Sequence, residues 1–325
     1  MCTAVTYKTK EHYFGRNLDL EYSFDETVTV TPRNYAFCFR QMGTMEMHYA
    51  MIGVAYVSRG YPLYYDATNE KGLSIAGLHF PGNAVYNPCV AGKDNVASFE
   101  LIPWILGQCA DVLQAQELLL RLNVWDESFS SELPASPLHW LIADRERSIT
   151  VEAVKGGVKL YENAAGVLTN DPTFDFHLLN LNHYMRLTSA EPDNTFAEGL
   201  ALKAYSRGMG AIGLPGDASS ASRFVRAAFT KLNSVSEVSE AESVSQFLHI
   251  LRSVEMPRGC VRVAQGAYAV TVYSSCCNTD RGIYYYTTYG NSRINAVDMH
   301  RENTSGSRLI SYPLKVKQDI AYQNG

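Results

Sequence analysis

The first eighty residues are organised as short runs rich in Val, Ile, Tyr, Phe and Thr: Cys2 to Tyr7, His12 to Leu20, Glu26 to Thr31, Met51 to Val57, Leu63 to Ala67 and Leu73 to Phe80. Most are bounded by Gly, Pro, Asn or Asp, which predicts the strands of a sheet. Between Phe99 and Leu122 the apolar period becomes helical, with Pro103 tolerable only near a helix start and Asp111 followed by Gln114 as a capping signal for a second helix. Strands are predicted again over Leu138 to Asp144, Ser148 to Val154 and Gly166 to Asn170. Helices follow from about Ser219 to Leu232 and from Ser239 to about Ser253. In the second, Ser239 and Glu242 form a capping box, and Val244, Phe247, Leu248 and Leu251 share one face. The chain returns to strands at Ala267 to Tyr273, Gly282 to Tyr289 and Ile294 to Met299. No linker-like tract and no repeat divides it, so the pattern predicts an α+β fold, helices layered on antiparallel sheets, in one domain over residues 1–325.

With 325 residues, 46% of them apolar and 19% charged, the chain is long enough for a large core and is not a disordered tail. The 28 basic and 33 acidic residues leave a net charge of -5, and neither sign forms a block, so nucleic acid is not an expected partner. The first twenty residues lack a basic segment followed by an apolar stretch, and no run reaches the eighteen or so apolar residues of a membrane span. The expectation is a cytoplasmic protein with no membrane partner. Seven cysteines, an odd number without CxxC spacing, read as reduced thiols and give no zinc site.

Cys2 directly after the initiator Met changes the picture. If Met1 is removed, one residue carries both a thiol and a free α-amine, and an amine of pKa about 7.7 to 8.0 can take the thiol proton near neutral pH. A second-position cysteine is also compatible with an ordinary first strand. On the next strand, Arg16 and Asp19 could return beside the amino terminus in a hairpin, the cation favouring thiolate and the carboxylate holding the ammonium or thiol. Three apart in a strand, they point to opposite faces unless a bulge intervenes, so spacing alone equally fits a surface pair. A papain-like arrangement of Cys109 with His139 lacks a local signature.

The blocks MCTAVTY, FGRNLDLEYSF, NEKGLSIAGLHFPG, GVLTNDPTFDFH, GLPGDASSASRFVR and RGIYYYTTYGNSRINAVDM, in that order over essentially the whole chain, resemble the choloylglycine hydrolases, which comprise bile salt hydrolases and penicillin V acylases. The resemblance implies the fold of N-terminal nucleophile hydrolases, a four-layer αββα sandwich of two antiparallel sheets between helical layers. It also implies that Met1 is removed, that Cys2 is the nucleophile, and that Arg16, Asp19, Asn170 and Arg223 are catalytic-site residues, with the Asn170 amide donating to the oxyanion. The departure is His79, where bile salt hydrolases usually have asparagine and penicillin V acylases tyrosine. Since the family uses the backbone N–H here, the oxyanion donor survives and substrate choice is what the side chain can alter. The implied activity is hydrolysis of glycine- or taurine-conjugated bile salts through a thioester, with no cofactor or metal, by a homotetramer. The alternatives are a penicillin V acylase and an inactive binding protein of the same fold. Leu18, Leu20, Tyr22, Tyr64, Phe129 and Leu133 are candidates for an apolar substrate wall, and Arg207 for the partner of the anionic head group.

Overall fold

The computed structural model describes residues 1–236, 238–263 and 266–324. Two large antiparallel sheets dominate it. The first has six strands, β1 (Cys2–Lys8), β2 (His12–Leu20), β14 (Val167–Leu168), β15 (Val270–Asn278), β16 (Ile283–Thr288) and β17 (Asn291–Asp298), in the order β14-β1-β2-β15-β16-β17. The second has eight strands: β3 (Thr27–Thr31), β6 (Met51–Ser58), β7 (Tyr61–Asn69), β8 (Ser74–His79), β11 (Leu138–Ala143), β12 (Ser148–Val154), β13 (Gly157–Glu162) and β18 (Ile310–Pro313). Their order is β13-β12-β11-β8-β7-β6-β3-β18. Two small ribbons complete the strands, β4 (Phe37–Phe39) with β5 (Gly43–Met45), and β9 (Asp94–Ala97) with β10 (Leu122–Trp125).

The layering follows from alternation within single strands. On β11, Leu141 and Ala143 face the other sheet, whereas Trp140 and Ile142 face outward onto helix α1 (Leu101–Gln108) and helix α2 (Val112–Leu119). On β8, Ala76 and Leu78 point inward and Ile75 outward. Both faces are apolar, so both must be covered. The outer face of the six-stranded sheet is covered by α4 (Ser220–Asn233) and α5 (Glu240–Arg252), through Phe224, Val244, Phe247, Leu248 and Leu251. The result is the expected αββα sandwich.

Helix α5 carries the predicted capping box, with the Ser239 side chain accepting from Glu242 N and the Glu242 carboxylate from the Ser239 backbone. The helical stretch predicted over 99–122 is two helices, broken at Cys109 to Asp111 where the second was expected to start, and Leu122 begins strand β10. Asp111 caps α2 by accepting from Gln114 N at 2.9 Å. Cys109 and His139 belong to opposite faces of the eight-stranded sheet, which removes the papain-like pairing. Burial pushes the Cys109 thiol up to about 12.

Candidate active site

Strand β1 is buried on both faces and pairs with β2 as a tight hairpin, in a register that sets Cys2 opposite Leu18 and Ala4 opposite Arg16. Paired residues share a face, so Cys2 and Arg16 are diagonal neighbours on the side turned toward the second sheet. On its other edge β1 pairs with β14 through Ala4 and Leu168, which carries the following residues, Thr169 and Asn170, past the amino terminus. Met1 is still attached: its ammonium donates to Asp19 O at 2.7 Å and its carbonyl accepts from Asp19 N at 3.0 Å. The Cys2 nitrogen is therefore a peptide N–H, and it donates to Asn170 Oδ1 at 2.9 Å.

Helix α4 begins beside this segment. Ser219 caps it, Ser220 Oγ accepts from Asn170 N at 2.9 Å, and one turn along the helix Arg223 reaches back over Cys2. The Arg223 guanidinium donates to Cys2 O, to Thr3 Oγ1 at 2.8 Å and to Asn170 Oδ1 at 2.7 Å, and is wholly buried. Two donors on Oδ1 fix which way the Asn170 amide lies. Its Nδ2 donates to His79 O at 2.7 Å, at the end of β8, which leaves one amide N–H uncommitted in that bond set.

Arg16 crosses between the sheets and donates through Nη1 to Tyr65 O at 2.9 Å and Gly77 O at 2.5 Å, with Nη2 buried and without a partner among the described residues. Burial alone would lower its pKa; the neighbouring Cys2, Tyr273, Asp66 and Asp19 outweigh it and hold the guanidinium above its ordinary value. Asp19 lies on the opposite face of β2, wholly buried, with Oδ1 accepting from Thr271 Oγ1 at 2.7 Å and Oδ2 without a partner among the described residues. Burial raises its carboxyl against the pull of Arg223, Thr271, the Met1 ammonium and Arg16. The two residues thus flank the amino terminus from opposite faces of one strand.

His79 is exposed at the end of β8, opposite Leu138. Partial burial, then the Met1 ammonium, lowers its pKa. Of the wall candidates, Leu18 is buried opposite Cys2, Leu20 is half-buried, and Tyr22 is exposed against Phe24. Phe129 is half-buried among Tyr61, Phe99 and the Arg40 guanidinium, and Leu133 closes a turn with Ser130. Tyr64 is buried in the outer core, with its hydroxyl bonded to Thr31 Oγ1 at 2.7 Å. Arg207 is exposed in the loop before α4. Two open clefts of roughly 550 and 530 Å³ lie elsewhere, and neither is lined by Cys2.

Residues that sequence reading missed stand behind this set. Asp66 on β7 accepts from the hydroxyls of Tyr273 and Tyr284 at 2.7 and 2.6 Å, joining the two sheets next to Arg16. His139, Glu152 and His177 surround the Thr169–Asn170 segment. Among the described residues, no group of three or more His, Cys, Asp and Glu side chains is arranged to hold a metal ion, and no helix is long and apolar enough to cross a membrane.

A stacked pair of antiparallel sheets between helices, with a cysteine at the head of the central hairpin, defines an N-terminal nucleophile amidohydrolase. Residues 2–312 match the model of linear amide C-N hydrolases of the choloylglycine hydrolase type, and the chain belongs to that family. It is 54% identical to a bile salt hydrolase/transferase of Lactiplantibacillus plantarum, over 97% of each chain. Its fold superposes on the C2A mutant of the conjugated bile acid hydrolase of Clostridium perfringens with a TM-score of 0.92 and 37% identity, over 100% of both chains. Penicillin V acylase of Agrobacterium tumefaciens shares the fold at TM-score 0.77 and 19% identity, over 99% of this chain and 94% of that one.

Proposed function

We propose that this chain hydrolyses the amide bond of glycine- or taurine-conjugated bile salts, with Cys2 as the nucleophile once Met1 is removed. The observation that carries the reading is the bonded set of Cys2, Asn170 and Arg223, in a chain 54% identical to a named bile salt hydrolase/transferase. In this scheme the freed Cys2 amine takes the thiol proton, and the sulfur attacks the amide carbon. The oxyanion is held by the Asn170 amide and the His79 backbone N–H, each such donor being worth about 100 to 1,000-fold in rate. The amine then protonates the leaving glycine or taurine, a thioester remains, and water activated by the same amine releases the bile acid. Arg16, on the Cys2 face, favours the thiolate; Asp19, bonded through its backbone to Met1, holds the ammonium; Arg223 fixes Cys2 O and Asn170 Oδ1. Leu18, Leu20, Tyr22, Phe129 and Leu133 remain the proposed wall, and Arg207 the proposed partner of the anionic head. No cofactor has a task in the scheme. Family resemblance also supports a single domain over 1–325 and a homotetramer, which sedimentation of the purified protein would check, and the seven scattered cysteines without CxxC spacing support a cytoplasmic location.

The mature protein should weigh one methionine less than the translated chain. Cys2→Ala should abolish hydrolysis without unfolding, and persisting activity would sink the mechanism. Release of amine from glycocholate and taurocholate, or of 6-aminopenicillanic acid from penicillin V, decides the substrate. Faster release from either bile salt is the expected result; reaction with penicillin V alone would make the enzyme an acylase. Failure of a thiol reagent to label Cys2, with no turnover of any of the three, would leave only a binding protein.

A further inference from the structure

Behind the peptide that carries Asn170 lies a group of buried titratable side chains that the reaction scheme leaves unused. His139 on β11 and Glu152 on β12 are paired across the ladder and wholly buried. His139 Nδ1 is 3.1 Å from Glu152 Oε1, and its Nε2 is 3.0 Å from Thr169 O. His177, also wholly buried, sits on α3 (Phe174–Leu181) and places Nε2 2.9 Å from Asn170 O. Each ring is held flat against an aromatic: Phe80 stacks on His139 at 4.2 Å, and Phe224 on His177 at 4.8 Å. Glu152 Oε1 also accepts from Phe174 N at 3.0 Å, which ties the start of α3 to the same carboxyl.

A carbonyl oxygen can only accept, so both Nε2 atoms carry hydrogen. The other nitrogen of His139 faces the Glu152 carboxyl, which anchors the ring from behind. His177 differs: burial pushes its pKa down to about 4, so at neutral pH its single N–H is the one given to Asn170 O. With Ser220 Oγ on Asn170 N, three consecutive backbone polar groups, Thr169 C=O, Asn170 N–H and Asn170 C=O, are each fixed by a side chain. Such an arrangement does more than fill space, because buried polar groups cost stability unless they are paired, and apolar residues would fill the same volume without that demand.

We infer that His177, with the His139–Glu152 pair, positions Asn170 so that its side-chain amide is presented at Cys2. The inference rests on the reading of Asn170 as oxyanion donor, proposed above. These are positioning residues, acting through the backbone of Asn170 and not on substrate, and a displacement of about 1 Å at such a donor can cost about 100-fold in rate.

The test is a double-mutant cycle between His177→Phe, which keeps a ring against Phe224 but loses the donor, and Asn170→Ala. It is read on whichever of glycocholate, taurocholate and penicillin V the enzyme hydrolyses. His177→Phe should lower kcat about 10 to 100-fold, leave KM within about threefold and leave the alkylation rate of Cys2 unchanged. His177→Gln, whose amide nitrogen can still donate, should recover most of kcat. In the Asn170→Ala background, His177→Phe should change kcat by less than about twofold. Equal losses in both backgrounds, or a folded His177→Phe enzyme with normal kcat, would overturn the inference. Asn170→Ala with normal kcat would overturn the donor reading itself, and the inference with it. Should His177→Phe not fold, His177→Asn, too short to reach the carbonyl, takes its place with the same expected outcome.

Discussion

Asn170 accepts from Cys2 N and Arg223 at one end of its amide and donates to His79 O at the other, so a single side chain couples three segments remote in sequence. His79 enters this set through its backbone, while its ring is exposed at the rim. The side chain should therefore govern selection more than rate. In His79→Ala, kcat on the preferred amide should stay within about tenfold while the ratio of glycine to taurine conjugate turnover changes; a fall of about 100-fold, the size expected for a lost oxyanion donor, would place the ring itself in the chemistry. Cys2, Arg16 and Asp19 stand out in the sequence as a thiol beside a potential amine and a charged pair on the returning strand, but only the resemblance of their blocks to the family makes them site candidates. The contacts of His139 and His177 with the carbonyls of Thr169 and Asn170, and of Glu152 with His139, leave no mark in the sequence, since the fold alone brings these residues together.

Strand β2 carries two of the five proposed catalytic residues, Arg16 and Asp19, and all of its residues except Leu20 are buried. Arg16 and Asp19 do point to opposite faces, as their spacing requires, and the bulge lies on the partner strand β15 between Thr271 and Tyr273. Both faces are occupied, so no bulge in β2 is needed. Tight contact between β2 and β15 depends on Gly15, where an added Cβ would fall 2.0 Å from Ser275 O. Gly15→Ala should destabilise the protein by about 1 to 3 kcal/mol or more, seen as a lower denaturant midpoint. The main strands and the helices α4 and α5 were readable from their period. Helix α3 was not: its eight residues follow Pro172, and only Phe174 and His177 among them are buried, too few to set a stripe. Strand β13 escaped because all six of its residues are partly or fully exposed at the edge of its sheet, which leaves no buried face to mark it.

Between the sheets the core is not uniformly apolar, since Asp66, Tyr273, Tyr284, Ser275 and Arg16 form a buried polar seam. Elsewhere His12, bonded to Thr6 and Thr279, is held down at about 4, by burial first and against the pull of Asp280. His12 and His177 are thus neutral in the folded chain where the unfolded chain is protonated. Between about pH 6.5 and 4 the unfolded state binds more protons, so their contribution is complete above about pH 6.5 and is lost as the pH falls to 4, up to about 3 kcal/mol each. The raised carboxyls of Asp19 and Asp66 act in the opposite sense. The His12 share is therefore read by difference: His12→Gln should lose less melting temperature between pH 7 and pH 5 than the parent, and an equal loss would show that His12 does not titrate in this way.

The buried set, Cys2, Arg16, Asp19 and Arg223, is built on strands and a helix, whereas His79, Tyr22 and Arg207 stand exposed at strand ends and in loops. On the proposed scheme, bond-breaking machinery and recognition surface thus stand on different parts of the molecule. Loops can be exchanged or lengthened with little loss of stability, which opens a route for lineages, or for directed evolution, to wander among acyl amides while the nucleophile stays where it is.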